Sequence, residues 1–415
     1  MKKEEAMGLT VNFDRLKKDI LELACFGSDP QGGISRPSFS PADLEARAWL
    51  KCRIEDAGLA YRCDGAGNIF GRLDGEGKTV MSGSHIDTVI NGGRFDGSIG
   101  VLTALECCRR IKEEGFAHRR PLEMASFTDE EGNLVGDFLG SRAFLGHLDR
   151  KLLEEGKTPF GLFFRDVLAE TEFTIDGILE AHLSRPELEA FLEIHIEQGS
   201  VLETDDRTIG IVDRIAGKNY WLCRFSGRAG HAGTTPFELR QDAFLGLADF
   251  ALKSTHYVAT EHYGSMLTVG RVFTHPGVFS IVPGRTDFTL DFRSTSVEAL
   301  RDMEKQLPRM AEDIAVTRGL RFTMSPVDRT EPVVIPSRIT DLLEEECGAL
   351  GYACMRMPSG AGHDAQLLTE LTDAGMIFIP CEDGISHSPE ENIDWDDLEK
   401  GANLLLRAML RLANE

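Results

Sequence analysis

The first 130 residues alternate between strand-like and helix-like apolar spacing, and this restricts the fold more than any other property of the chain. Residues 12–25 carry Phe13, Leu16, Ile20, Leu21 and Leu23 at roughly helical spacing. Ser40, followed by Pro41, Asp43 and Glu45, reads as a helix start: serine at the N-cap, proline at the first helical position, acids in the first turn. Short β-like runs follow at 68–72 and 79–82. A helical pattern after Gly100 (Val101, Leu102, Leu105, Ile111) then leads to an apolar strand at 122–127. Strands separated by helices predict an α/β fold, an open mixed sheet with helices on both faces.

At 415 residues the chain exceeds what one core ordinarily serves, which predicts two domains. Residues 149–190 are charged and weakly patterned, as short helices and a loop would be. Residues 191–198 alternate strictly, with Leu192, Ile194 and Ile196 on one face and Glu193, His195 and Glu197 on the other. After residue 213 the texture changes. Strands are predicted at 218–228, 265–274, 286–293 and 321–324, with a helix at 237–253. A second helix opens at the capping box Thr295-Ser296-Val297-Glu298 and runs through Leu300, Met303, Leu307, Met310 and Ile314, bent at Pro308. The order β-α-β-β-α-β is that of a ferredoxin-like α+β domain, placed at 214–328 and inserted into the larger domain, 1–213 and 329–415. That domain closes with an amphipathic helix through Leu398, Leu405, Met409 and Leu412.

A net charge of −23 repels phosphate backbones, so no nucleic acid partner is expected, and an anionic substrate would need a local cationic site. No apolar run approaches membrane-spanning length. Nine cysteines are scattered without a C-x-x-C pair, and residues 1–5 lack the apolar stretch of a signal peptide. The expected setting is reducing and cytoplasmic, with no membrane partner.

Six places hold groups that could carry chemistry. His85 and Asp87 lie two residues apart in Gly83-Ser84-His85-Ile86-Asp87-Thr88, where the carboxylate can orient the imidazole. Asp96, in Gly93-Arg94-Phe95-Asp96-Gly97, can bridge two cations with its two oxygens. Glu130 and Glu131 follow the strand at 122–127; one can ligate while the other shuttles protons. His195 sits on the non-apolar face of its strand. His387, in Gly384-Ile385-Ser386-His387-Ser388-Pro389, follows the apolar run 376–380. His231 and His363 are both flanked by glycine. Taken singly, each is more often a structural or solvated residue. Jointly, His85, Glu131, His195 and His387 all follow β-like runs, and strand carboxyl ends in an open α/β sheet gather around one crevice. Imidazole nitrogen and carboxylate oxygen are ligands for a divalent metal outside thiolate sites.

These motifs, together with Glu-Ile-His195-Ile-Glu-Gln198-Gly and Ser-Gly-Ala-Gly-His363-Asp364-Ala, run in order from about residue 80 to 390. The set resembles the amidase/hydantoinase/carbamoylase branch of the zinc exopeptidase superfamily, and within it N-carbamoyl-L-amino acid hydrolases and allantoate amidohydrolases. The resemblance implies a zinc-exopeptidase-like catalytic domain with two divalent ions per subunit (Zn, Mn, Co or Ni). Asp96 would bridge them, His85 and His387 would each bind one, and Glu131 and His195 would complete the two coordination spheres. Glu130 would be the general base, Asp87 would orient His85, and His231 would donate to the tetrahedral oxyanion. Gln198, His231, Arg293 and His363 match substrate-contacting positions. The inserted domain would serve as lid and dimer interface of a homodimer, with His231 reaching the other subunit's active site. The family's lid loop usually carries an asparagine before a Val/Ile-Ile-Pro stretch; here Ser280 precedes Ile281-Val282-Pro283.

The expected activity is metal-dependent hydrolysis of the ureido C–N bond of N-carbamoyl-L-amino acids, giving amino acid, CO2 and ammonia. Arg293 would hold the substrate carboxylate, since a planar guanidinium suits that task; apart from the resemblance, its plain reading is a surface ion pair with Asp291. The alternatives are an allantoate amidohydrolase, a dipeptidase, and a metal-holding binding protein without catalysis. The last would be expected to have lost Glu130 or a ligand, and none is missing.

Overall fold

Residues 8–415 are described by a computed structural model, so the expectation drawn from residues 1–5 lies outside the described residues. The chain divides into two units. One comprises Met1–Asp213, Ile335–Met357 and His363–Glu415; the other comprises Arg214–Val334 and Pro358–Gly362.

The first unit opens with α1 (Phe13–Leu23) and α2 (Pro41–Asp56). Both are capped by side chains: Asn12 accepts the Arg15 N–H and Ser40 accepts the Asp43 N–H. Strands β1 (Ala60–Cys63), β2 (Ile69–Leu73) and β3 (Thr79–His85) precede α3 (Ser98–Glu113) and β4 (Leu122–Phe127). The weakly patterned stretch folds into α4 (Leu139–Leu145), α5 (Arg150–Glu155), α6 (Phe164–Leu168) and α7 (Ile175–Glu180). Then come β5 (Leu188–Ile196), α8 (Val201–Thr204) and β6 (Ile209–Ile215).

The second unit contains β7 (Gly217–Ser226), β8 (Gly230–His231), α9 (Ala243–Glu261), β9 (Met266–His275), β10 (Ile281–Val282), β11 (Arg285–Ser294), α10 (Val297–Arg318) and β12 (Arg321–Thr330). Its antiparallel sheet runs β12-β7-β11-β9. One sheet face packs Phe225, Phe288 and Phe292 against Phe250 of α9 and Leu300, Met303 and Leu307 of α10. Details of this unit differ from the sequence expectation. The helix expected from 237 starts at Ala243, because Asp242 caps it by accepting the Phe244 and Leu245 N–H groups; residues 237–239 form only a short 3-10 turn. Ser296 rather than Thr295 caps α10, accepting the Ala299 N–H. α10 continues through Pro308, its buried face, Leu300 to Ile314, offsetting the missing N–H. The final strand also continues to Thr330, past the expected end at 324.

The chain then passes β13 (Val333–Val334), α11 (Ser337–Leu350), β14 (Cys354–Ser359), α12 (Asp364–Leu368), β15 (Asp373–Ile379) and α13 (Trp395–Asn414). The large sheet is mixed. Its centre, β4-β3-β5-β15, is parallel throughout, while β2 and β6 flank it antiparallel. β3 and β4 are buried along their whole length, as expected of strands covered on both faces. Leu192, Ile194 and Ile196 of β5 join the main core with α3 and α13. The opposite face of β5 is covered as well, so the polar side of its alternation, Glu193 and His195, is fully buried rather than solvated. Four parallel strands therefore deliver their carboxyl ends to one side: His85, residues 128–131, residues 195–198 and the loop after Ile379. Among the described residues no helix is long and apolar enough to cross a membrane.

Candidate metal centre

The loops at those four strand ends bring three imidazoles to one carboxylate. Ser82 pairs with Leu192, each three residues before a histidine, so His85 and His195 arrive level on neighbouring strands. Asp96 Oδ1 stands 3.5 Å from His85 Nε2 and 3.1 Å from His195 Nε2. Its other oxygen, Oδ2, stands 3.4 Å from His387 Nε2, which is also 3.5 Å from Glu131 Oε2. Glu130 Oε2 lies 3.6 Å from His85 Nε2. The donors thus sort into overlapping groups: His85, Asp96 and His195; Asp96, Glu131 and His387; and His85, Glu130 and Glu131.

Local backbone fixes these directions. The Nδ1 atoms of His85 and His195 face the carbonyls of Asp87 and Ile196 at 3.0 and 2.9 Å, which turns both Nε2 atoms toward the centre, where that of His195 also accepts the Gly97 N–H at 3.1 Å. The sequence pointed to the Asp87 carboxylate as the partner of His85; its Oδ1 is 3.7 Å away, and the closer contact is the backbone carbonyl. The Asp87 carboxylate instead receives the N–H groups of Glu130 and Glu131 at 3.4 and 3.3 Å, holding the turn that presents both acids. Asp129 shapes the same turn, with φ of 57° and its carboxylate accepting the Asn133 and Leu134 N–H groups. Gly97 has φ of 60°, and a Cβ there would run into the His85 imidazole; only glycine lets α3 start so close to the cluster.

Acidic and imidazole groups are concentrated here. Burial pushes the Glu130 carboxyl well above its ordinary range, with Glu131, Asp364 and Asp96 adding to the shift and His85 opposing it. Burial, reinforced by Asp96, pushes Glu131 up to about 8. Burial also works against charge on Asp96, yet the three imidazoles hold it well below the usual carboxylate range. A hydrogen bond to Asp96 raises His387 to about 9. Burial disfavours charge on His85, but Glu130, Asp96, Asp87 and Glu131 together raise it well above its usual value. Such a cluster suits divalent cations, which favour the ionised acids and neutral imidazoles. The spacings fit as well. Ligands about 2.0–2.1 Å from one tetrahedral ion stand about 3.3–3.4 Å apart, and the four Asp96 and Glu131 distances to imidazole span 3.1 to 3.5 Å.

Other residues picked out by the sequence fall into two groups. Gln198, at φ of 59°, donates from Nε2 to Asp96 Oδ2 at 2.7 Å, and its buried Oε1 has no hydrogen-bond partner among the described residues. His363 is buried, its ring centre 4.6 Å from that of His195. Burial and then repulsion from His195 hold its pKa well below normal, so it is a neutral imidazole. Both belong to the first unit. His231, Ser280 and Arg293 belong to the second. His231 is exposed, and its Nδ1 accepts the Gly233 N–H; the β8–β10 pairing sets it opposite Ile281, and the Ser280 carbonyl accepts the Ala232 N–H. The Arg293 guanidinium is bound to Asp291, as its plain reading held, and also reaches the Tyr220 hydroxyl and the Gly360 carbonyl.

Four residues of the first unit escaped sequence reasoning. Arg36 is fully buried and donates to the Ile86 carbonyl, between His85 and Asp87, and to the Ser98 hydroxyl. Burial lowers its pKa to about 10 against the pull of Asp43 and Asp87. Glu193 accepts the Ser84 hydroxyl and the Ala365 N–H. Asp364 accepts the Ser141 hydroxyl. Glu391 accepts the Phe95 and Asp96 N–H groups. Only Glu193 carried a usable signal, since it shares its strand face with His195. The others sit in polar or aperiodic segments that resemble loop.

The chain is similar to known proteins over nearly its whole length. The chain is 36% identical over 403 residues to the N-carbamoyl-L-amino-acid amidohydrolase of Paenarthrobacter aurescens, covering 96% of this chain and 98% of that one. It is 36% identical over 402 residues to the allantoate amidohydrolase of Escherichia coli strain K12, covering 94% and 96%. A crystal structure of an amidase of the hydantoinase/carbamoylase family from Burkholderia multivorans superposes with a TM-score of 0.87 at 32% identity, over 98% of this chain and 99% of that one. The pattern of peptidase family M20/M25/M40 matches residues 81–411, and with the whole-length relatives this places the chain in that family.

Proposed function

We propose that this hydrolase is a dinuclear metal-dependent amidohydrolase that cleaves the carbamoyl C–N bond of N-carbamoyl-L-amino acids, releasing amino acid, CO2 and ammonia. The observation that carries the reading is the convergence of His85, His195, His387 and Glu131 on the two oxygens of Asp96, with Glu130 beside them. Divalent ions held by these residues would polarise the scissile carbonyl and lower the pKa of water from 15.7 toward roughly 7.

The protein's own groups do the rest. Glu130 takes a proton from the attacking water and hands it to the leaving nitrogen. Asp87 keeps Glu130 and Glu131 in place through their backbone N–H groups. His231 donates to the developing oxyanion, and Arg293 binds the substrate carboxylate, sharing its guanidinium with Asp291. Gln198, His363 and Ser280 complete the substrate contacts. We further propose a homodimer in which the second unit is lid and interface.

Allantoate is the second reading, favoured by the Escherichia coli relative, which matches at the same identity. The test is ammonia release by metal-stripped protein reloaded separately with Zn, Mn, Co or Ni, over a panel of N-carbamoyl-L-amino acids and allantoate. Higher kcat/KM on the carbamoyl compounds is the expected result. Preference for allantoate selects the second reading, and release from neither class overturns both.

A further inference from the structure

Glu391 joins two loops of the metal centre that are almost 300 residues apart in sequence. It is 2% exposed, and its Oε1 accepts the N–H groups of both Phe95 and Asp96, at 2.8 and 3.2 Å. Its own backbone closes a turn on His387: the Glu391 N–H donates to the Ser388 carbonyl at 3.1 Å. His387 lies four residues away at φ of 55°, with Nε2 3.4 Å from Asp96 Oδ2. One carboxylate therefore grips the backbone of Asp96 while its own segment presents His387 to the Asp96 side chain.

The chain also leaves room for this grip. Gly93, three residues before Asp96, lies against the Glu391 carboxyl group, and a Cβ at 93 would overlap it. The backbone at 93 is not in the left-handed region, so an alanine there is opposed by the glutamate rather than by its own φ. Glycine at 93 and glutamate at 391 are two halves of one fit.

We propose that Glu391 is a positioning residue that sets the separation of Asp96 and His387, and so builds the half of the metal centre formed by Asp96, Glu131 and His387. This rests on the reading that these residues hold a divalent ion. Partners that orient metal ligands typically contribute about 10–100-fold to metal affinity. The Oε2 atom makes no hydrogen bond among the described residues, so a glutamine keeps both contacts through its amide oxygen.

The experiment is calorimetric titration of metal-stripped, full-length protein with Mn²⁺ or Zn²⁺, with melting of the metal-free proteins alongside. Glu391→Ala is expected to weaken the more labile ion about 10–100-fold, and Glu391→Gln by less than about threefold. Gly93→Ala should weaken it as Glu391→Ala does. The double variant should be no worse than Glu391→Ala alone, because the overlap is gone; this non-additivity is a signature that general destabilisation does not give. Wild-type affinity in Glu391→Ala, or losses that multiply in the double variant, overturns the proposal while leaving the metal centre standing. If Glu391→Ala does not fold, Gly93→Ala against Glu391→Gln decides: equal affinities overturn it, a loss confined to Gly93→Ala supports it. A wild-type protein that binds no divalent ion overturns the metal reading itself.

Discussion

The crevice of the first unit and the paired acids of the second treat their carboxylates in opposite ways. In the crevice of the first unit, burial raises Asp87, Asp129, Glu130, Glu131, Glu193, Asp364 and Glu391, and only Asp96, ringed by imidazoles, is lowered. In the second unit, Asp249 is lowered by Arg318, Asp302 by the Tyr257 hydroxyl, and Asp287 by Arg224 and its neighbours against its own partial burial. The second unit is neutralised by its own partners. The crevice holds an acid surplus that its local side chains do not balance, and such a surplus is stable only where protons or cations are supplied. The contrast separates acids held ionised by their neighbours from a site arranged to receive something.

The largest effect that can break this contrast is in the crevice. Glu130→Gln removes the proton carrier while leaving Asp96, Glu131 and the three imidazoles intact. Turnover is expected to fall about 10²–10⁴-fold with metal content unchanged. Steady-state kinetics with metal analysis on the same sample checks it, and undiminished turnover would point to a protein that merely holds metal. His231→Ala probes the other side. Its imidazole is exposed, with Nδ1 accepting the Gly233 N–H, so melting should not move, whereas kcat should drop about 10²–10³-fold if it donates to the oxyanion. A melting shift without a kinetic loss would make it a structural histidine.

Stability against pH sharpens the comparison further. A carboxyl raised by folding holds its proton longer in the native chain than in the unfolded one. Stability therefore falls as pH climbs, from 4.5 toward about 8 for Glu131, from 3.8 toward about 8 for Asp364 and from 4.5 toward about 7 for Glu391. His387 acts in the same direction: its stabilisation is complete below 6.5 and lost as pH rises through about 9. Metal-stripped protein should accordingly lose melting temperature between about pH 5 and 9. Saturating metal should remove most of this slope, because its binding is favoured by deprotonated ligands. The lowered acids of the second unit run the other way: they stabilise above 3.8 and lose that stabilisation only as pH falls through their lowered values. A flat profile for the stripped protein across pH 5–9 would contradict the charge surplus.

Much of this was legible in the sequence, for a physical reason. Strand ends in a parallel sheet are marked by apolar runs, so the sequence alone places His85, Glu131, His195 and His387 around one crevice. Periodicity also located α3, β4 and β5 to within a few residues. What it could not show is the backing of the site. Arg36 lies in an aperiodic segment and acts through carbonyls, and Glu391 sits in a run of acids indistinguishable from a solvated turn. The start of α9 was misplaced because Phe237 and Leu239 look like a helix face, although both are exposed and Asp242 is the cap. Alternation in β5 reports a chemical difference between its two faces and is silent on solvent; both faces are buried.

The smallest expected effect lies at Ser280, where the family usually carries asparagine. Ser280 is exposed, and its backbone carbonyl accepts the Ala232 N–H, so Ser280→Asn leaves that contact in place. Stability should stay within about 0.5 kcal/mol of the parent. An amide reaches further than a hydroxyl and offers both a donor and an acceptor. One added hydrogen bond contributes about 0.5–1.5 kcal/mol, so KM for an N-carbamoyl-L-amino acid should fall roughly 2- to 12-fold with kcat little changed. Michaelis parameters of the two proteins on one substrate suffice. An unchanged KM would mean that this position does not meet the substrate; a changed kcat would mean that it acts on the reacting groups, which would give the second unit a share in the chemistry beyond His231.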